Sequence, residues 1–401
     1  MMKARRLVMV GLALAVVLGI DAMQRSQQPV VTAPQAQWQE AEADAGDCTW
    51  SRGSRQVLPM PAGVKAAHAS HLLVLPTTHP DHARTVMMAF WFAGTRESAA
   101  DVQIVASRLD RVTHEWSPAF TVVDRHEAGR DLGVRLRRLG NPVAWADARG
   151  QLHLFVVGTG LGGWAASRVV HLQEDRQHPQ GLWRAHRVMP LMPLVPTLNT
   201  SVLVRTSPLP LADGGALLPV YFELGMKYSG VVRLGPNGEM QALQRITRRH
   251  DVLQPALLPL SPQQWWAFQR NQGPSNQLAV SATEDAGLHW HDMPHAPFSN
   301  ADSSVAVLRT HTGLTVLLHN PAERGRQVLK WSQTRQPMDA ASWQTRTVVE
   351  GGAGDEYSYP SVTELPALSQ GAGAHEIWLS YTDRRQAIAV ERWLPRCGAS
   401  R

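Results

Sequence analysis

The sequence predicts an all-β chain, a six-bladed β-propeller over residues 48–397, preceded by an N-terminal signal peptide or signal anchor. Three observations carry the prediction. Short alternating apolar runs end at turn residues, hairpins ending in tryptophan recur at a near-regular spacing, and a basic start leads into an apolar stretch.

The runs are Leu72-Leu73-Val74-Leu75, Val86 to Trp91, Leu152 to Val157, Gly215 to Tyr221, Leu314 to Leu318 and Glu376 to Tyr381. Gly, Pro, Asn or Asp flanks each, and no long segment of helical period interrupts them. Thr283-Glu284-Asp285-Ala286-Gly287-Leu288-His289-Trp290 fits Ser/Thr-x-Asp-x-Gly-x-x-Trp, in which Asp and Gly make a tight turn and Trp fills the space between strands. Degenerate copies run from Ser107-Arg108-Leu109-Asp110 to Trp116, from Asp175 to Trp183 and from Ser332 to Trp343. Their tryptophans fall 67, 107 and 53 residues apart, and Gly235-Pro236-Asn237-Gly238 sits where the long middle gap needs a hairpin. About 350 residues at that period make about six blades.

Hydrophobic residues are 44% of the 401, enough for a sizeable core, and the formal charge is +6. Only four of the 39 cations are lysines, and the longest basic cluster, Arg248-Arg249-His250, is too short for a phosphate-tracking groove. Nucleic acid is therefore not an expected partner. Lys3, Arg5 and Arg6 precede an apolar stretch from Leu7 to Ile20 without a clean cleavage site. Residues 1–23 thus predict export, to the periplasm, the cell exterior or a membrane tether, and the Gln- and Pro-rich residues 24–47 predict a linker. Cys48 and Cys397 bracket the repeats; in an oxidising compartment they form a bridge, which propeller closure favours, or stay as unrelated thiols. No metal or cofactor is expected. His68/His71 and His79/His82 lack further ligands, and Gly158 to Gly163 leads to Trp164 within a β region rather than into a helix.

Several segments go beyond a bare repeat: Ala67-His68-Ala69-Ser70, Trp91 through Arg96 and Glu97 to Asp101, Gly140-Asn141-Pro142-Val143, and Leu253-Gln254-Pro255-Ala256. Asn300-Ala301-Asp302-Ser303-Ser304, Glu356-Tyr357-Ser358-Tyr359-Pro360 and Tyr381-Thr382-Asp383-Arg384-Arg385 complete the set. With the Asp-box at Thr283–Trp290, residues 48–395 resemble the bacterial sialidase (neuraminidase)-like BNR-repeat family. The resemblance implies an exo-glycoside hydrolase acting on an acidic, sialic-acid-type sugar, with arginines around the sugar carboxylate, an Asp acid/base and a Tyr nucleophile. A neutral nucleophile suits an anomeric carbon that already bears a carboxylate.

Carried over residue by residue, the resemblance makes Asp101 the acid/base and Tyr359 the nucleophile, with Tyr357 as competitor. Arg270 and Arg326, with Arg96, become carboxylate ligands, and Asn141, Asp302 and Arg384 line the site. Two departures stand out. His68 occupies the place of the family's first arginine, and Gln254 that of the glutamate that polarises the tyrosine. Gln254 cannot accept a proton; Glu223, at a strand end, is the acidic substitute. A non-catalytic glycan-binding propeller, or an acidic-polysaccharide lyase in which His68 or a Tyr takes a proton, are the alternative readings. Arginines on one face with Gln254 beside Tyr359 and no acid at hand would favour binding.

Overall fold

Alternating runs joined by tight turns pair with their sequence neighbours, so each group of four strands closes into its own antiparallel sheet. The computed structural model describes residues 8–13, 15–16, 35–41, 48–160, 163–177, 182–189, 201–223, 227–368 and 375–397. Six sheets result, five of four strands and one of five. The inner strands Ala66–Val74, Arg138–Ala146, Val202–Val204, Val252–Pro259, Ala306–Arg309 and Tyr357–Pro366 open blades 1 to 6 and line a central channel.

The tryptophan-terminated segments are the turns between the third and fourth strands of blades 1, 2, 4 and 5, and Gly235 to Gly238 makes the corresponding turn of blade 3. In the full motif, Thr283 Oγ1 donates to Asp285 Oδ1 at 2.8 Å and accepts from Gly287 N at 2.9 Å. Gly287 has φ +86°, and a Cβ there would meet the Trp265 ring at 2.9 Å, so both backbone and space demand glycine. Blade 6 has no such turn because its outer strand comes from the other end of the chain. Cys48–Val57 pairs antiparallel with Ala387–Cys397, and Cys48 is the register partner of Cys397.

Of the expected N-terminal signal segment, residues 8–13 and 15–16 are helical and the rest of 1–23 lies outside the described residues. Among the described residues no helix is long and apolar enough to cross a membrane. Of the expected linker, residues 35–41 lie against the propeller. Ala36 is buried and bridges Leu211, Gln37 N donates to Pro210 O at 2.9 Å, and the Arg309 guanidinium stacks 3.9 Å from the Trp38 ring. One short helix, Arg125–Leu132, interrupts the sheets between blades 1 and 2. Asp124 and Glu127 form its capping box, and Gly133 ends it at φ +64°.

Two predictions follow from this architecture. Directly opposed residues of an antiparallel pair have Cα atoms about 4.5–5.5 Å apart, within the span of a disulfide. The side chains of Cys48 and Cys397 lie outside the described residues; their register predicts a bridge that closes the ring, so non-reducing peptide mapping of exported protein is expected to recover both in one linked pair.

The second prediction concerns acid. Burial holds His68 well below its ordinary pKa, and pushes His71 to about 3, His153 to about 4, His171 to about 2 and His319 to about 4. In the unfolded chain these groups bind protons below about 6.5, while the folded chain binds them only at much lower pH. Their contribution is therefore whole above about pH 6.5 and lost as pH falls toward the folded values, at roughly 1.4 kcal/mol per group per pH unit. Urea midpoints should fall steeply from pH 6.5 to 4.5; a flat profile over that window contradicts neutral burial.

Candidate functional site at one mouth of the channel

Near the start of every inner strand one non-glycine residue takes left-handed backbone. The positions are Ala69 (φ +57°), Asn141 (+43°), Ser201 (+67°), Gln254 (+51°), Asp302 (+34°) and Tyr359 (+54°). In blades 1, 2, 4 and 6 the strand ladder skips at the same place, between His68 and His71, Gly140 and Val143, Leu253 and Ala256, and Ser358 and Ser361. These are β-bulges, which bend a strand and re-aim its side chains. Pro142, Pro255 and Pro360 follow three of the kinks, where a residue without an N–H leaves no donor unpaired.

The kinks bring side chains from different blades together at one mouth. Arg270 is buried; its Nε donates to Asp302 Oδ1 at 2.5 Å, and its Nη1 donates to Gln254 Oε1 at 3.3 Å and to the Tyr359 hydroxyl at 3.2 Å. Arg326 Nη1 donates to Glu356 Oε1 at 3.1 Å and its Nη2 to Asp302 O at 2.7 Å, with the guanidinium 5.5 Å from the Tyr359 ring. His68 packs its ring 4.2 Å from that of Tyr359, and its Nδ1 lies 2.8 Å from Thr382 Oγ1. Gln254 Nε2 and Asn141 Nδ2 both donate to the Tyr221 hydroxyl, at 3.2 and 3.3 Å.

Electrostatics follow the pairing. Burial opposes ionisation of Glu356, but hydrogen bonds from Arg385 and Ser358 and the charge of Arg326 hold its carboxyl at about 2. Asp302 is likewise held low, its hydrogen bond from Arg270 outweighing partial burial. Glu223 moves the other way: burial raises its pKa against the pull of Arg270 and Lys227. Burial also raises that of Tyr221.

The structure thus gathers Arg270, Arg326, Tyr359, Gln254, Asn141, Asp302 and His68, with Glu223 at the edge. Others lie apart. Arg96 and Asp101 are exposed on the hairpin loop after the strand Thr85–Gly94, and both Asp101 carboxylate oxygens accept from Thr95, at 3.0 Å each. Tyr357 sits in the apolar core with its ring 6.3 Å from that of Tyr381, because the kink re-aims Tyr359 and not its neighbour. Arg384 is an exposed turn residue bound to Asp383.

Sequence reasoning missed Tyr221 and Arg205. Arg205, at the end of the inner strand of blade 3, is buried beneath Tyr359 with its guanidinium 5.1 Å from the ring. It donates to the carbonyls of Ser70 (3.3 Å), Tyr359 (2.5 Å) and Pro360 (3.1 Å), and burial lowers its pKa to about 10. A cation inside the run Leu203-Val204-Arg205 was the signal available.

A BNR repeat-like domain matches residues 85–369. No curated protein sequence matches the chain. Among solved structures, a Hadza microbial sialidase, Hz136, is 13% identical with a TM-score of 0.62 over 82% of this chain and 65% of that one. A Dyadobacter fermentans protein of unknown function is 10% identical, with a TM-score of 0.64 over 86% and 99%. A Trypanosoma rangeli sialidase, solved with 2,3-difluorosialic acid as a covalent intermediate, is 13% identical with a TM-score of 0.56 over 88% and 59%. The chain therefore spans about two thirds or less of the two sialidases' lengths, and likeness at this identity carries the fold alone.

The shared acceptor at Tyr221 gives a test of the mouth's construction. Tyr221→Phe leaves the buried amides of Gln254 and Asn141 without their common oxygen, at an expected cost of about 1–3 kcal/mol in denaturant unfolding.

Proposed function

The chain belongs to the BNR repeat-like family, and from that premise we propose that its channel mouth recognises a glycan ending in a carboxylate-bearing, sialic-acid-type sugar. The observation that carries the reading is the convergence of Arg270 and Arg326, from blades 4 and 5, on Tyr359 of blade 6. Each guanidinium is oriented by protein acceptors, yet five N–H donors are not exhausted by them. Arg270 Nη2 and Arg326 Nε have no protein partner among the described residues. Planar, pre-aimed forks of this kind suit a carboxylate.

Recognition, rather than turnover, is the reading favoured by the surroundings of Tyr359. Among the described residues its hydroxyl bonds to Arg270 and to no carboxylate, and Gln254 stands beside it where a proton acceptor would serve a nucleophile. Asp302 and Glu356 are held as carboxylates by Arg270 and by Arg326 with Arg385. Asp101 is tied into its own loop.

Hydrolysis of the same sugar, in the manner of an exo-sialidase, is the second reading, and Glu223 favours it. A half-buried carboxyl of raised pKa beside Tyr221 and Arg270 is a proton-transfer group in search of a substrate.

Calorimetry with free sialic acid and assay of a fluorogenic sialoside test both readings. Wild-type protein should bind the acid without releasing fluorophore, and Arg270→Lys, which keeps the charge and loses the fork, should weaken binding about tenfold to a hundredfold. No binding, or an unaffected Arg270→Lys, overturns the proposal. Fluorophore release that Glu223→Gln abolishes establishes the hydrolase instead.

A further inference from the structure

Beside the mouth lies a groove of about 670 Å³ that the proposed recognition does not use. It is bounded by the helix Arg125–Leu132, the segment that leads from it into blade 2, and Ala100 of the loop after Thr85–Gly94. Arg125, Arg130, Arg135, Arg137 and Arg138 line it, with His126, and among the described residues no carboxylate does. Among the described residues none of these arginines takes part in an ion pair. The acids of the helix are engaged elsewhere: Asp124 and Glu127 cap its N-terminus, while Asp131 accepts from Ala185 N at 3.0 Å and faces Arg184 at 3.7 Å. Arg130, in the last helical turn, is favoured there by the helix dipole; that accounts for one cation of the five. The other four have no carboxylate within ion-pair reach among the described residues.

The segment that lines the groove runs on into the mouth. Arg138 opens the inner strand of blade 2, three residues before Asn141 of the mouth. Trp164, half-buried, lies against the backbone of Gly140, where a Cβ would stand 2.8 Å from its ring, and its indole N–H donates to Ser98 Oγ at 2.9 Å. A row of guanidiniums on the chain that leads into a carboxylate-reading mouth matches a chain of sugars carrying repeated negative charge.

We propose that this groove binds the continuing chain of a linear polyanionic glycan, whose terminal acidic sugar enters the mouth. The proposal rests on the mouth's recognition of that sugar and names the ligand as a polymer rather than a lone monosaccharide. Fixed positive charge without internal acids concentrates a polyanion, and salt weakens that attraction.

The test uses the full chain, an oligomeric sialic-acid chain and its monomer, in titrations at low and high salt. Wild-type protein should bind the oligomer at least about tenfold more tightly than the monomer at low salt. The double variant Arg130→Gln/Arg135→Gln, both exposed positions, should lose that advantage and its salt dependence while binding the monomer unchanged. Equal oligomer affinity in wild type and variant overturns the groove. If Arg270→Lys leaves monomer binding intact while the groove variant loses the oligomer, the mouth reading fails and the groove stands. Single-stranded DNA of equal charge that displaces the oligomer at equal concentration makes the groove a general polyanion surface and overturns the glycan assignment. Circular dichroism of the variants excludes misfolding as the cause.

Discussion

The molecule's chemistry depends on a backbone constraint repeated around the channel. Left-handed backbone at a non-glycine residue costs about 1–3 kcal/mol at strained sites, and each of the six blades carries one at the same end. Side-chain hydrogen bonds hold two of these kinks. Thr382 Oγ1 accepts from Ala69 N at 3.2 Å and meets His68, while Asn320 Nδ2 donates to Tyr357 O and Val328 O at 2.7 Å. Without the kinks, the strands would continue their two-residue alternation, and Tyr359 would point where Tyr357 points, into the apolar core.

Charge is distributed unevenly around the mouth the kinks create. On one side a belt runs across blades: Glu97 to Arg385, Arg385 to Glu356, Glu356 to Arg326, and Asp302 to Arg270. Each cation there is matched, so the belt sets geometry more than net potential, and it is stiff because planar guanidiniums share carboxylates. On the side of the helix Arg125–Leu132 the five groove arginines form no ion pair among the described residues. A polyanion approaching the mouth meets a surface already neutralised in one direction and positive in the other, which gives its chain a preferred path.

How much of this was legible in the sequence follows from what local spacing encodes. The hairpins were legible because turn chemistry and a plugging tryptophan are local, and four of the six blades carry both; blade 3 showed only its Gly-Pro-Asn-Gly turn, and the sixth was implied only by closure. The segments His68-Ala69-Ser70, Asn141-Pro142, Gln254-Pro255 and Tyr359-Pro360 stood out as motifs, and each proved to be a kink. Why they gather was not legible, since a left-handed residue other than glycine has no compositional mark. The choice between Tyr357 and Tyr359 turned on that kink alone. The arginine groove was invisible for a related reason: its residues are spread over a helix and the segment after it, singly or in pairs, and only folding sets them around one hollow. Residues 35–41 looked like linker because extended chain docking on a surface has no periodicity of its own.

Arg205 shows what the constraint demands in return. A buried guanidinium loses its hydration, and among the described residues no carboxylate accepts from this one. A methionine of similar length would avoid that loss and fill the channel. What it would not do is hold carbonyls. Arg205 reaches from blade 3 to Ser70 of blade 1 and to Tyr359 and Pro360 of blade 6, so a single side chain ties kinks of two other blades across the axis. Its charge then lies directly under the ring that faces the mouth. The same cation therefore braces the strained backbone and keeps the floor of the site positive, the sign that a bound carboxylate requires.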